Sequence, residues 1–251
     1  MNERAPVDIV AIDAAAPTGI YFVSHGAHGH AFSYLRAGSA ASQIRPSDVP
    51  AALVERARIL HVSGISQAIS ASATDTVFHA INVARAAQIK VSYDPNLRLK
   101  LWPIDRARAI ICATIPLTDY FLPSLDDVRL VCGEDDPAAI LDWCQRQGAR
   151  TVVLKMGKEG SWVSNGEART RIMAYPVEAV DATGAGDCFD GSLLARLAAG
   201  DDVVTAARWA SAAAALTTTG YGAVAPLPTA DRVAHFLAGD ATNATASKQS
   251  A

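Results

Sequence analysis

Short apolar runs alternate with helix-like stretches through the middle of this sequence, and no other feature constrains the fold as strongly. Strand-like runs lie at residues 59–63, 89–93, 119–122 and 151–155, and helix-like stretches lie between them at residues 73–87, 105–114 and 137–147. A strand, a crossing helix and a further strand form a βαβ unit, in which the two strands run parallel. The alternation therefore predicts an α/β fold of three layers, with a mostly parallel sheet between helices.

Outside this region the pattern is less regular. Residues 18–23 and 31–36 are predicted as a β-hairpin, which would cover a small-molecule site as a lid or form a dimer interface. A further strand is predicted at residues 7–12, and further helices at residues 46–57, 187–199, 203–218 and 229–237. We expect residues 1–240 to form a single domain and the polar residues 241–251 to form a disordered tail.

Composition argues against several classes of partner. The 251 residues are 50% hydrophobic and 19% charged, so the chain can bury a full core. A formal net charge of −3 argues against nucleic acid or an anionic membrane as the main partner, and no apolar run reaches transmembrane length. The four cysteines show no CxxC spacing, which indicates reduced thiols in a cytoplasmic protein.

The segment from Val180 to Asp187 reads VDATGAGD and opens an alanine- and leucine-rich helix. Two glycines one residue apart allow positive φ and expose successive N–H groups, and the positive end of the helix dipole lies beside them. This arrangement predicts a phosphate site, with Asp187 as a general base for a substrate hydroxyl. A bare G-x-G-D would more simply be a turn with a capping aspartate, but the longer D-x-T-G-A-G-D pattern is more specific.

Three further loops follow predicted strands, where open α/β sheets bind their ligands. In Ser63-Gly64-Ile65, the glycine permits close approach of a ligand. The loop from Asp94 to Arg98 holds an acid, an amide and a guanidinium, so it is either a site for a polar ligand or a proline turn with a surface ion pair. The turn from Lys155 to Gly160 contains two glycines and by itself indicates only a turn.

These motifs resemble those of the ribokinase-like (PfkB) family of carbohydrate kinases, over most of the chain from about residue 18 to about residue 237. Within that family the sequence is similar to the 2-keto-3-deoxygluconate kinases. The residues that carry this narrower resemblance are Thr18 to Phe22, Tyr34, Arg36, Ser39 to Ser42, His61, Ser63 to Ile65, Asp94, Asn96, Arg98, Leu101 and Trp102. The resemblance implies a ribokinase-like α/β/α fold with a small β lid.

The resemblance also implies an activity, namely transfer of the γ-phosphate of ATP to a hydroxyl of 2-keto-3-deoxygluconate to give the 6-phosphate, with Mg²⁺ as cofactor. Asp187 would be the catalytic base. The implied substrate contacts are Tyr21, Tyr34, Arg36, Arg98 and Asp187. The implied ATP contacts are Asn96, Arg98, Lys155, Gly157, Gly160, Gly184 and Gly186, and the anion hole comprises Gly184, Ala185, Gly186 and Asp187. Two arginines suit a substrate that carries a carboxylate.

The sequence differs from the family pattern in three places. Members of the family carry a first strand, an acidic sugar-binding motif and a glycine pair before the lid, and we expect this chain to lack them. The Asn-x-x-Glu pattern that helps to place Mg²⁺ is Ser124-Leu125-Asp126-Asp127 here, which leaves Asp127 as the candidate metal ligand. Ala182 occupies a position where threonine is commoner, with a mild expected effect because the backbone binds the anion there.

Two other functions stay open at this point. One is a kinase for a neutral ketose such as fructose or ribose. The other is a catalytically silent remnant that has lost part of its sugar site and still binds nucleotide. In either case the expected partners are small molecules, and the resemblance implies a homo-oligomer formed through the lid.

Overall fold

A computed structural model of the protein describes residues 10–26 and 29–248. The first two strands, β1 (Ile20–Gly26) and β2 (Gly29–Leu35), pair in antiparallel fashion. This confirms the predicted hairpin. The register places Tyr21 opposite Tyr34 and Ile20 opposite Leu35, so tyrosines and aliphatic side chains lie on opposite faces of the hairpin.

The remaining strands form one six-stranded sheet whose strands are arranged in chain order. They are β3 (Ile59–Ser63), β4 (Lys90–Asp94), β5 (Tyr120–Phe121), β6 (Thr151–Lys155), β7 (Ser161–Ser164) and β8 (Arg169–Ile172). The strands from β3 to β6 run parallel, whereas β7 and β8 continue the sheet in antiparallel pairing. The predicted mostly parallel sheet is confirmed.

Helices connect the strands and cover both faces of the sheet. They are α1 (Ala51–Glu55), α2 (Gly64–Ala68), α3 (Ala71–Ala86), α4 (Ile104–Thr114), α5 (Leu125–Cys132), α6 (Pro137–Arg146), α7 (Ala185–Ala199), α8 (Val203–Thr217) and α9 (Ala230–Lys248). Among the described residues, none of these helices is both long enough and apolar enough to cross a lipid bilayer.

Strand β6 shows how the layers form. Its side chains alternate between the two faces, so Val152 and Leu154 join a core with α3 to α6, while Val153 joins a second core with α7 and α8. All three side chains are fully buried. A continuous apolar run is what a strand needs when helices cover it on both sides. The three-layer arrangement predicted from the sequence is therefore confirmed.

The structure corrects the helix predicted at residues 46–57. A short 3₁₀ turn, Pro46–Asp48, is separated from α1 by Val49 and Pro50. Val49 is extended, with φ −108° and ψ 97°, because a following proline disfavours the helical conformation. The apolar pattern continues through this segment, but its backbone cannot form one helix.

Other boundaries also differ from the predictions. Residues 10–12 of the strand predicted at 7–12 are not in a strand, and residues 7–9 lie outside the described part of the chain. Helix α9 continues to Lys248, beyond the predicted end at residue 237 and into the stretch expected to be a tail. Helix α5 was not predicted, although Ser124 caps its first turn and Gly133 ends it in the left-handed conformation.

Candidate active site

The polar loops predicted from the sequence meet at one edge of the sheet. Ser63 and Asp94 end the neighbouring strands β3 and β4 and are paired in register, and Lys155 ends β6. The Lys155 ammonium lies 3.4 Å from a carboxylate oxygen of Asp94, so the ends of β4 and β6 are in contact across the short strand β5. Because these are the carboxyl ends of parallel strands, the edge is the expected ligand site of the fold.

The start of α7 forms the phosphate end of this site. Its N-cap is Gly184, with φ 76° and no side-chain cap. Positive φ was predicted for both glycines of the motif. The prediction is wrong for Gly186, which lies within the helix and has open space where a Cβ would be. Gly186 therefore leaves the surface above the helix N-terminus open, while Gly184 makes the turn. Backbone N–H groups and the helix dipole at such an end favour a bound anion.

Asp181 holds this turn against a second loop. Its carboxylate accepts hydrogen bonds from Thr183 N at 2.8 Å and from Gly222 N at 2.9 Å, and the side chain is buried. One carboxylate therefore connects the phosphate loop to a segment about forty residues further along the chain. No role was predicted for Gly222 and its neighbours.

A cleft of about 300 Å³ lies between these two loops. It is lined by Gly184, Asp187, Cys188, Gly191, Ser192, Ala223, Leu227 and Pro228. Asp187 is exposed to the cleft from the first turn of α7. One wall is polar and carries Asp187, and the other is formed by Ala223, Leu227 and Pro228, so the cleft offers an apolar surface beside an anion site. These three wall residues were missed because nothing in their local sequence marks them.

A second cavity, of about 480 Å³, lies under the hairpin. Its lining residues are Ser33, Tyr34, Arg36, Ala37, Ala68, Ile69, Lys100 and Leu101. The structure thus brings together two predicted substrate residues, Tyr34 and Arg36, and adds Lys100, which was not predicted. Tyr21 packs against Tyr34 with ring centroids 6.4 Å apart. Arg36 Nε is buried without a hydrogen-bond partner among the described residues, so a bound anion could supply its acceptor.

The loop after β4 has a strained backbone. Asn96 has φ 35°, and its N–H donates to Asp94 Oδ1 at 3.0 Å. Asn96 Oδ1 is buried and has no partner among the described residues. Strain combined with an unsatisfied buried acceptor is typical of a binding site.

Arg98 follows in the same loop. Its guanidinium donates to the neighbouring carbonyl of Leu97 and is not in the lining of the cavity under the hairpin.

Asp127 lies next to this loop. It is in the first turn of α5, where Oδ2 accepts from Leu97 N at 3.1 Å. Burial raises the pKa of Asp127, and Arg98 partly opposes this by favouring the charged carboxylate. Among the described residues, no group of three or more His, Cys, Asp or Glu side chains is placed to bind a metal. Asp127 is thus a single carboxylate candidate, which fits Mg²⁺ because that ion commonly takes one or two carboxylates with substrate phosphates.

Two residues of the turn after β6 have structural roles in the fold. The Lys155 ammonium faces the carboxylates of Asp190 and Asp94 and is largely buried. A Cβ on Gly160, where φ is 88°, would lie 2.0 Å from the Ile172 carbonyl oxygen, so packing against β8 requires this glycine. Gly157 has φ 54° and open space around it. The ATP contacts implied for these residues stay predictions.

Gly64 has a different role from the one expected. A Cβ at this position would lie 2.1 Å from the carbonyl oxygen of Pro95. The close approach that glycine permits is therefore taken by the backbone of the loop after β4, and no ligand can occupy that space. Gly64 instead allows the ends of β3 and β4 to pack together.

Known proteins are similar to this chain in sequence. A family model described as pfkB family carbohydrate kinase matches residues 2–230. The 2-dehydro-3-deoxygluconokinase of Bacillus subtilis is 34% identical over 90% of this chain and 71% of its own length. The enzyme of the same name from Thermoproteus tenax is 36% identical over 84% of this chain and 65% of its length. A probable fructokinase of Arabidopsis thaliana is 32% identical over 90% of this chain and 69% of its length.

A solved structure is also similar to this chain in fold. A putative ribokinase II from E. coli, in complex with ATP and Mg²⁺, has a TM-score of 0.81 to this chain at 27% identity, covering 89% of this chain and 71% of that one. The chain spans 71% and 65% of the length of the two 2-dehydro-3-deoxygluconokinases. With a family model over most of its residues and relatives above 30% identity, this chain belongs to the pfkB family of carbohydrate kinases.

Proposed function

We propose that this protein is an ATP-dependent kinase that phosphorylates 2-keto-3-deoxygluconate at its 6-hydroxyl. The observation that carries the proposal is the position of Asp187, exposed in a cleft at the N-terminus of α7 where no side chain caps the helix. A carboxylate there can take the proton of the attacking hydroxyl. The amides of Gly184, Gly186 and Asp187 can stabilise the negative charge that develops on the transferred phosphoryl group. The Ala185 N–H, which was also expected in the anion hole, donates to the Ala182 carbonyl at 3.1 Å.

The cavity under the hairpin supports a sugar acid as substrate. Arg36 and Lys100 bring two positive charges to its lining, and Tyr34 adds an aromatic hydroxyl group. A carboxylate can accept the hydrogen bond that the buried Arg36 Nε does not make within the described residues. Arg98 does not line this cavity, although one of its N–H groups donates to the Leu97 carbonyl and the guanidinium has others to offer.

ATP and Mg²⁺ would occupy the other part of the site. The apolar wall of Ala223, Leu227 and Pro228 suits a nucleobase, and the start of α7 suits the phosphates. Among the described residues, Asp127 and the Oδ1 of Asn96, which is unpaired there, are two candidate oxygen ligands for Mg²⁺. When bound, Mg²⁺ neutralises charge on the β- and γ-phosphates.

Steady-state turnover of the purified protein with ATP, Mg²⁺ and 2-keto-3-deoxygluconate tests the proposal. In Asp187→Asn we expect kcat to fall by about 10²- to 10⁴-fold, the usual contribution of a general base, while calorimetry shows unchanged ATP binding. ATP binding without any turnover by the unaltered protein would contradict the proposal and favour a silent nucleotide-binding protein. Full activity in Asp187→Asn would contradict the role of Asp187 alone.

A neutral ketose is the second candidate substrate, because a probable fructokinase is 32% identical to this chain and a 2-dehydro-3-deoxygluconokinase is 34% identical. Turnover of the sugar acid should be compared with that of fructose and ribose, in the unaltered protein and in Arg36→Gln. If the arginine binds a carboxylate, the substitution raises KM for the acid and leaves the neutral sugars unaffected. Preference of the unaltered protein for fructose would establish the second candidate.

An exposed apolar face on the lid, the hairpin of β1 and β2, supports a homo-oligomer. Ile20, Phe22 and Leu35 lie on one face of the hairpin, opposite the tyrosines, and are 46%, 57% and 61% exposed. Apolar side chains grouped on an exposed strand surface favour association with another protein surface. We propose that this face pairs with the same face of a second copy.

A further inference from the structure

A buried charge cluster lies beneath the proposed active site. The Lys155 ammonium is 2.9 Å and 2.8 Å from the two carboxylate oxygens of Asp190, and 3.4 Å from Asp94 Oδ2. The side chains of Lys155, Asp190 and Asp94 are only 12%, 4% and 9% exposed, respectively. One cation thus contacts two carboxylates contributed by different parts of the fold. Removing a partner from such a group is costly, because it leaves a buried charge without compensation.

One arm of the cluster reaches the proposed catalytic base. Asp190 lies in α7 three residues after Asp187, which is about one helical turn. Its contact with Lys155 attaches this turn of α7 to the end of β6. Because a helix is rigid over one turn, a contact at Asp190 restricts the position of Asp187 and of the N-terminal amides beside it.

The other arm reaches the loop after β4. Asp94 uses Oδ2 to contact Lys155 and Oδ1 to accept from Asn96 N at 3.0 Å. The next residue, Leu97, donates to Asp127 Oδ2 at 3.1 Å. The same lysine therefore restrains the strained segment that carries the unpaired Asn96 Oδ1 and the candidate metal ligand.

We infer that Lys155 is a positioning residue, which sets the distance between the base on α7 and the polar loop after β4 by holding Asp190 and Asp94 together. This role differs from the ATP contact implied by the resemblance, since the ammonium points at two carboxylates below the site. The inference rests on the proposed function for its catalytic consequence. Its structural consequence, a rigid link between α7 and the loop after β4, does not depend on any activity.

The charge state of the cluster agrees with this role. Burial by itself would lower the pKa of Lys155, but the carboxylates of Asp190 and Asp94 outweigh that effect and raise it above its ordinary value. The lysine is therefore the charged centre of the cluster. Burial also raises the pKa of Asp190 well above its ordinary value, an effect that Lys155 opposes and Asp94 adds to.

Two substitutions of Asp190 separate positioning from folding. Asp190→Leu removes the link to α7 and leaves the Lys155–Asp94 ion pair in place, so no carboxylate loses its cation. Asp190→Asn keeps an oxygen that can accept from Lys155. We expect kcat to fall by about 10²-fold in the leucine variant, because a displacement of about 1 Å has that effect, and by less in the asparagine variant. KM for both substrates should change by less than about twofold.

Lys155→Met distinguishes positioning from phosphate binding. A lost phosphate contact raises KM for ATP, whereas lost positioning lowers kcat and leaves that KM unchanged. Lys90→Met is the matched control, because Lys90 pairs with Asp119 at 3.0 Å at the opposite end of β4. Its kcat should equal that of the unaltered protein.

Amide hydrogen exchange provides a readout that requires no turnover. In Asp190→Leu, exchange should become faster in residues 94–98 and 185–190 together, and remain unchanged in α6. A folded Asp190→Leu with unaltered kcat and unaltered exchange overturns the inference. If that variant does not fold, the same result in Asp190→Asn and Lys155→Met overturns it. If the unaltered protein phosphorylates no sugar, the proposed function fails, while the exchange data still decide whether the link exists.

Discussion

At the scale of single residues, Gly184 determines how closely the two loops of the cleft approach each other. A Cβ at this position would lie 2.9 Å from Ala223 Cβ and 3.0 Å from Ala223 Cα, in addition to requiring a left-handed backbone at φ 76°. Both conditions exclude a side chain. Gly186, two residues further on, meets neither condition. The two glycines of the motif therefore serve different purposes, one in the backbone turn and one in access to the helix end.

This difference predicts opposite effects on stability. Gly184→Ala should lower the free energy of unfolding by about 1–2 kcal/mol or more, because it combines a left-handed residue with a steric clash. Gly186→Ala should raise it by up to about 1 kcal/mol, because alanine is the better helix former and the space is open. Urea unfolding of both variants measures the difference. Equal destabilisation by the two substitutions would contradict the distinct roles.

At the scale of elements, the lid hairpin presents two different faces. One carries Tyr21 and Tyr34, and Tyr34 lines the cavity that we assign to the sugar. The other carries Ile20, Phe22 and Leu35, all largely exposed. A two-stranded hairpin alone is marginally stable in water, so an element of this kind needs a partner surface. Pairing with a second lid would cover the face that carries Ile20, Phe22 and Leu35 and leave the tyrosine face to the substrate.

Phe22→Lys tests the lid contact. The introduced charge should shift the protein to a smaller oligomer in sedimentation velocity, because burying an unpaired ammonium in an apolar interface is unfavourable. Leu130→Lys is a suitable control, since Leu130 is 48% exposed on α5, far from the hairpin in the chain, and should leave the oligomeric state unaltered. A monomeric unaltered protein, or an unchanged oligomer in Phe22→Lys, would contradict the proposed association.

At the scale of the whole molecule, stability should depend on the charge of His61. Partial desolvation by the surrounding protein lowers the pKa of His61 below its ordinary value of 6.5; Asp94 and Asp187 oppose this change and Lys155 adds to it. The side chain is exposed at the surface of β3, so solvent screens the shift and its effect on stability should be small. The unfolded chain therefore binds this proton more readily than the folded protein. Stability is fully present above about pH 6.5 and falls as the pH decreases from there towards the folded-state pKa.

His61→Gln should flatten this part of the stability curve. Thermal unfolding between about pH 7.5 and about pH 5 should show a smaller loss of Tm in the variant than in the unaltered protein. His235→Gln, at an exposed position on α9, is the control and should follow the unaltered protein. A curve for His61→Gln that is parallel to that of the unaltered protein would show that His61 does not contribute.

Several elements were predictable because their signals are local. Strands β3 and β6 match their predicted bounds, since a short run of β-branched and apolar residues marks a buried strand. The start of α7 was predictable from the Gly184 turn and the helical pattern that follows it. Helix α5 could also have been predicted, because Ser124 and Gly133 are ordinary capping signals at its two ends. With only eight residues, it has a weaker apolar pattern than the longer helices.

The sequence by itself determined the alternation of strands and helices, the family, and Asp187 as the candidate base, because each depends on a short local pattern. Only the tertiary structure decided that Lys155 faces Asp190 and Asp94, that Asp181 joins Thr183 to Gly222, and that Lys100 lines the same cavity as Arg36. Most of these contacts join residues thirty or more positions apart, and the direction of a long side chain depends on packing that no local pattern records. The chain thus specifies its elements locally, and the fold assembles the site from their ends.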